Sequence, residues 1–201
     1  MLMSLFHWFR LEISQNRLAR FLNSNRVHEW FHPQGWEPQV LKRLMDGDWC
    51  GPVWDVGASL GRHAYRVSRR HQVIAFEPNL NVLQYLGYNT LKSENLVVVP
   101  CALTLDGAPM KGSIHADFMA SPSGPRVATL SVAEALQKFG KPGLIKIDIE
   151  GGEYELIESE ALHGISLLIE WHREIPRQLA AWTIETIDET HSLLIPKEAS
   201  K

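Results

Sequence analysis

From about residue 50 onward, short apolar runs alternate with amphipathic stretches. Val53-Trp54-Asp55-Val56 runs into glycines and reads as a strand, and a helix is predicted over 62–70. Val73-Ile74-Ala75-Phe76 reads as a second strand, stopped by Glu77-Pro78-Asn79, with a helix over 81–91. Leu96-Val97-Val98-Val99 is a third, and its β-branched character predicts burial on both faces. The runs 144–149 and 167–171 are the fourth and fifth. Helices fit at 131–139 and 153–159, and Ser131 with Glu134 forms a capping-box pattern at the start of the first. Strands alternating with helices imply an α/β fold with a mostly parallel sheet and right-handed crossovers. The tail departs from this. Its strand-like runs 183–187 and 192–195 are joined by a connection too short for a crossover, which predicts an antiparallel hairpin.

The first part of the chain reads differently. Leu2, Leu5, Phe6, Phe9 and Ile13 fall at helical spacing, so a helix is expected over 1–22, with a break at Asn23-Ser24-Asn25. A second helix is expected from Glu37 to Met45, after the turn residues Pro33 and Gly35 and before Asp46-Gly47. Residues 1–48 thus read as a helical cap on an α/β core of 49–201, within one domain. The stretch 103–127, with Asp106-Gly107 and Ser121-Pro122-Ser123-Gly124-Pro125, is expected to hold short edge strands and an exposed loop.

Composition narrows the partners. The 201 residues are 45% hydrophobic and 21% charged, with a formal net charge of −3. That balance argues against an extended nucleic-acid surface, which needs a basic face, and leaves room for a small nucleotide-like ligand. No apolar run approaches the ~20 residues of a membrane helix. Arg10 and Glu12 interrupt the hydrophobic start and no cleavage site follows, so neither signal peptide nor anchor is read, and a cytoplasmic protein is expected. Cys50 and Cys101 form no CxxC pair and are expected to be reduced core thiols. The histidines are scattered; Asp148, Glu150 and Glu170 could bind a divalent ion, but no ligand spacing demands a metal.

Chemistry concentrates where strands end. The loop Asp55-Val56-Gly57-Ala58-Ser59-Leu60-Gly61 lies between a strand and a helix, where glycines let backbone N–H groups approach a ligand and the helix start favours an anion. Glu77 ends the next strand, a placement suited to accepting hydrogen bonds from a ribose. The dinucleotide fingerprint G-x-G-x-x-G is absent; Gly57-x-x-x-Gly61, with Asp55 ahead of it, suits an adenosine-plus-amino-acid ligand better than a pyrophosphate. The same residues match G-x-S-x-G, the nucleophile elbow of α/β-hydrolases, with His191 late in the chain. That elbow belongs after several strands, and none is read before this one, so the hydrolase ranks lower.

Two further segments reach the same sheet edge. Lys146-Ile147-Asp148-Ile149-Glu150-Gly151-Gly152-Glu153 places Asp148 and Glu150 at the end of the fourth strand and Glu153 at the next helix start. Carboxylates there could orient an acceptor or take its proton, and mutual repulsion is expected to raise at least one pKa. Helix capping is the competing role, favoured for Glu153. Glu170-Trp171-His172 offers His172 as a general base at the end of the fifth strand.

Together, 55–61, Phe76-Glu77-Pro78-Asn79, 146–153 and Ile169-Glu170-Trp171-His172 resemble the FkbM family of S-adenosylmethionine-dependent methyltransferases. The resemblance covers roughly residues 50–196, and the string 146–153 is its most specific part. It implies a class I methyltransferase (Rossmann-like) fold, a seven-stranded sheet with its last strand antiparallel. It implies S-adenosylmethionine held by Asp55, Gly57, Ala58, Ser59, Gly61 and Glu77, with Pro78, Cys101 and Ala102 in the same set. It implies a small-molecule hydroxyl acceptor, such as a sugar or polyketide-like product, served by Asp148, Glu150 and His172. A fold that binds the cofactor without methylating is the alternative. Ser59 departs from the family's usual Asn, and the acceptor site is expected from the N-terminal helices and loops such as 106–127.

Overall fold

The computed structural model describes residues 37–90, 93–108, 113–114, 120–121, 127–176 and 179–197. The helix expected over 1–22, its break and the turn at Pro33 and Gly35 lie outside them, as does most of the Ser121–Pro125 stretch. The elements are α1 (Pro38–Asp46), β1 (Val53–Val56), α2 (Arg62–Val67), β2 (Val73–Phe76), α3 (Leu80–Thr90), β3 (Leu96–Val99), β4 (Ala102–Thr104), β5 (Ser113–Ile114), β6 (Ala120–Ser121), β7 (Thr129–Ser131), α4 (Val132–Phe139), β8 (Leu144–Ile147), α5 (Glu153–Leu156), β9 (Ser166–Glu170), β10 (Trp182–Thr186) and β11 (His191–Pro196), with a 3₁₀ turn at Glu160–Leu162.

Seven strands form the central sheet in the order β10-β11-β9-β8-β1-β2-β3. The pairs β1–β2, β1–β8, β2–β3 and β8–β9 are parallel. The tail forms the expected hairpin: β11 runs antiparallel to both β10 and β9. The strand order reverses at β1, between β2 and β8, where open α/β sheets bind ligands beyond their carboxyl ends.

Side-chain alternation divides the core in two. Trp54, Val56, Phe76, Ile145, Ile147, Leu167 and Ile169 join one cluster, where Trp54, Phe76 and Phe139 stack edge to face. Val53, Val73, Ala75, Leu144, Leu168 and Leu193 join the other, with Val40 and Leu44 of α1 and Ala64 and Val67 of α2. By the same period, Asp55, Lys146, Glu170 and His191 occupy this second face, so a row of polar groups continues the apolar rows toward the strand ends.

The capping box forms as expected: Ser131 Oγ accepts from Glu134 N–H, and Glu134 Oε2 accepts from Ser131 N–H. Cys101 is buried but Cys50 is exposed, which corrects the expectation of two core thiols: Cys50 sits in the turn before β1, ahead of the first buried strand residue. No helix among the described residues is long and apolar enough to cross a membrane.

Candidate active site

The turn from β1 into α2 is tight, and three residues adopt left-handed backbone to make it: Gly57 (φ 83°), Ser59 (φ 49°) and Gly61 (φ 78°). At Gly57 space is as restrictive as conformation, because a Cβ there would overlap the carbonyl oxygen of Asp148. Four amides of this loop are used internally. Gly57 and Ala58 N–H both donate to the Phe76 carbonyl, at 3.0 and 3.1 Å, and Gly61 N–H donates to that of Ala58. Ser59 N–H donates to Glu77 Oε2 at 2.7 Å, and Asn79 N–H to Glu77 Oε1 at 2.7 Å. These four amides build the turn and fix the Glu77 carboxylate. Burial raises the Glu77 pKa, outweighing its two backbone hydrogen bonds, and the nearby Asp55 and Asp148 add to the rise.

A cavity of about 630 Å³ opens at this edge. Gly57, Ser59, Glu77, Pro78, Cys101 and Ala102 line it, as do Phe76, Leu103, Arg62, Asp148 and Glu150. Asp55, Ala58 and Gly61 sit outside this lining: Ala58 is buried, Gly61 precedes the first turn of α2, and Asp55 is 3% exposed. Burial pushes the Cys101 thiol up to about 11, which keeps it protonated at neutral pH. Arg62, the first residue of α2, is a cavity residue that sequence reasoning did not single out.

Across the cavity the three acids of 146–153 take separate roles. Lys146 points from the second face of β8, 2% exposed, with Nζ 3.6 Å from Asp55 Oδ1 and 3.1 Å from Asp148 Oδ2. Burial alone would raise the Asp148 carboxyl, but the Lys146 ammonium holds it below the ordinary aspartate range. The upward shift expected from repulsion is thus reversed at Asp148. Lys146 was legible in principle, since a lone charge in a buried strand needs a partner.

Glu150 takes a left-handed turn (φ 54°) and brings Oε2 to 3.3 Å from His172 Nε2, while Asp148 Oδ1 lies 3.9 Å from the same nitrogen. Glu153, at the start of α5, is fully buried. Its Oε2 accepts from Gly151 N–H at 2.8 Å, the local role expected of it. Its Oε1 also accepts from His172 N–H at 3.1 Å and lies 3.2 Å from His172 Nδ1, which was not foreseen. Asp148, Glu150 and His172 therefore come together beyond β8 and β9, with Glu153 behind the imidazole. Asp148 and Glu150 face the cavity, and His172, its side chain 24% exposed, stands beside them outside the lining.

His191 goes elsewhere. Its ring lies among Asp188, Glu37 and Glu170, and although its burial opposes charge, these three carboxylates push its pKa up to about 10.

The Methyltransferase FkbM domain matches residues 55–194. The hexuronic acid methyltransferase AglP of Haloferax volcanii is 28% identical over 146 residues, covering 66% of this chain and 61% of that protein, so the chain matches less than two thirds of its relative's length. A Staphylococcus aureus structure, provisionally named a caffeoyl-CoA O-methyltransferase, shares the fold with a TM-score of 0.50 at 13% identity, covering 95% of this chain and 98% of that one. An S-adenosylmethionine-dependent methyltransferase from Neisseria gonorrhoeae aligns over 81% of this chain and 72% of its own, at 14% identity and a TM-score of 0.46. With the fingerprint spanning β1 to β11, the chain belongs to the FkbM family of S-adenosylmethionine-dependent methyltransferases.

Proposed function

We propose that this methyltransferase acts on a hydroxyl oxygen of a small, polar acceptor of the sugar type. The observation that carries the reading is His172 set between Glu153 on one side and the cavity residues Glu150 and Asp148 on the other. Carboxylates on a cavity wall suit an acceptor with several hydroxyls, each able to donate a hydrogen bond. The relative in Haloferax volcanii, named for hexuronic acid, supports the same class.

The residues present fit the cofactor. Glu77 offers a buried, oriented carboxylate to a ribose, and Phe76, Pro78 and Leu103 offer apolar wall to a base. Gly57 and Ser59 bring bare backbone and a short side chain to the cavity, and Cys101 and Ala102 close it with small groups. When bound, the cofactor supplies an electrophilic methyl group on a sulfonium. The chain's own residues then hold the acceptor and move its proton. Asp148, kept ionised by Lys146, and Glu150 accept from acceptor hydroxyls and hold one oxygen in line. With Nδ1–H directed at Glu153, His172 presents Nε2 as the base, and the buried Glu153 carboxylate stabilises the imidazolium as it forms.

The test is methyl transfer to hexuronate-bearing and neutral oligosaccharides, with amino sugars alongside, read by mass spectrometry. His172→Ala should lower turnover far more than it weakens S-adenosylhomocysteine binding. Tight cofactor binding with no transfer to any hydroxyl would favour a binding module, and transfer confined to amines would refute the oxygen acceptor.

A further inference from the structure

The second face of the sheet carries a polar cluster that methyl transfer does not use. His191 opens β11 directly opposite Glu170 in the antiparallel ladder. It is 4% exposed, and its Nε2 is buried and makes no hydrogen bond. That nitrogen faces Glu37 Oε2 at 3.5 Å and Glu170 Oε2 at 3.6 Å. The other ring nitrogen, Nδ1, lies 2.8 Å from Asp188 Oδ1, and the same oxygen accepts from the His191 backbone N–H at 2.9 Å. His63 of α2 brings Nε2 to 3.7 Å from the same Glu37 oxygen. Donor atoms of Glu37, Glu170 and His191 all lie within 4.8 Å of one another.

Distance separates a direct hydrogen bond from a ligand set. A charge-assisted N–H···O bond closes to about 2.7–2.9 Å. Donors about 2.0–2.2 Å from a tetrahedral ion stand about 3.3–3.6 Å from each other. The spacings of 3.5 and 3.6 Å match the second case. Orientation agrees, because a metal-binding histidine typically donates its remote ring N–H to a carboxylate, the role Asp188 is placed to fill. Glu37, Glu170 and Asp188 gather around one buried imidazole, while the Lys146 ammonium and the Arg62 guanidinium also act on Glu37.

We propose that Glu37, Glu170 and His191 bind a first-row divalent cation of the zinc class, with Asp188 orienting the histidine and His63 flanking the site. The donor set joins the residue before α1 to the last residue of β9 and the first of β11, so the ion cross-links the entry of α1 to the sheet. Glu170 also approaches Asp148 and His172, which form a second possible donor set. There the Lys146 ammonium already lies on Asp148, which disfavours a second cation.

The test uses the full chain, stripped with a chelator and titrated with Co²⁺ and then Zn²⁺. One equivalent of Co²⁺ should bind with the intense visible absorption of a low-coordinate site, Zn²⁺ should displace it, and Zn²⁺ should raise the melting temperature. Glu37→Gln should weaken Co²⁺ binding at least ~10-fold and Asp188→Asn ~10–100-fold, as losses around a metal site do. His191→Ala should abolish it; if that variant does not fold, the other two decide. His172→Ala should leave Co²⁺ affinity unchanged. No Co²⁺ or Zn²⁺ binding by the intact protein would leave a protonated His191 as the whole content of the cluster and overturn the proposal. Binding that survives Glu37→Gln and Asp188→Asn but disappears in His172→Ala would overturn it too.

Discussion

Replacing Glu153 by Gln preserves shape and removes charge at the residue that holds His172. Both carboxylate oxygens are occupied: Oε2 accepts from Gly151 N–H at 2.8 Å, and Oε1 accepts from His172 N–H at 3.1 Å beside Nδ1 at 3.2 Å. An amide has only one accepting oxygen, so one of these buried donors must meet an NH₂ group instead. The cost of that lost acceptor is about 1–3 kcal/mol. For a chain of this length, that lowers the melting temperature by roughly 2–12 °C. The reaction loses more, because a neutral amide does not stabilise the imidazolium and fixes Nδ1 as the donor only when its oxygen faces His172. General-base assistance is worth ~10²–10⁴-fold, so kcat should fall by at least ~10² at a temperature well below melting. The dissociation constant for S-adenosylhomocysteine should stay within ~2-fold, since Glu153 is outside the cavity lining. Initial rates, calorimetry and thermal melts on one preparation give all three quantities. Full kcat with a lowered melting temperature would make Glu153 a purely structural residue and refute its role in positioning His172.

Four more outcomes follow from the same geometry. Because the Glu77 pKa is raised, S-adenosylhomocysteine affinity should weaken on acidification already above the ordinary glutamate range of ~4.3, and Glu77→Gln should bind weakly at every pH, as calorimetry across a pH series would show. Its contribution to stability has the opposite sign: a raised carboxyl binds more protons folded than unfolded, so that contribution is present at low pH and lost as pH rises through the folded value, which melts of wild type against Glu77→Gln would detect. Gly57→Ala forces a Cβ onto the Asp148 carbonyl at a left-handed position and should give little folded protein, measured as soluble yield and melting temperature. Lys146→Met strands Asp55 and Asp148 without a cation and should cost ~3–5 kcal/mol in denaturant unfolding, with partial recovery at low pH as the carboxylates protonate.

The parallel core was legible because its strands are short, apolar and bounded by glycine, proline or acids. The last strands were legible because the connection of Asp188 to Thr190 can only return the chain. Ends were less so. The fourth strand, expected over 144–149, stops at Ile147 because the left-handed Glu150 turns the chain toward α5. The helix expected over 153–159 is shorter, since Ser159 starts a separate 3₁₀ turn at Glu160–Leu162. The parallel pair β4–β7 joins residues 102–104 to 129–131, and no periodicity within either segment announces a partner so distant.

The site divides along the same line between local and non-local information. Position at a strand end was enough to gather Asp148, Glu150 and His172, because parallel strands deliver their carboxyl ends to one edge. What each group does there depends on neighbours from other strands. Lys146 decides that Asp148 is ionised, and Asp55, its cross-strand partner in the β1–β8 ladder, helps keep that lysine charged. Glu153 decides the orientation of His172 across 19 residues of chain. Parity supplies the link that motifs miss. Residues 146 and 148, and 170 and 172, point to the face that also carries 55 and 191, so a single row of charges runs from the cofactor strand to the hairpin. The electrostatics of Asp148 and the orientation of His172 are therefore set from outside the cavity, through residues whose only sequence signal is a charge where alternation calls for an apolar side chain.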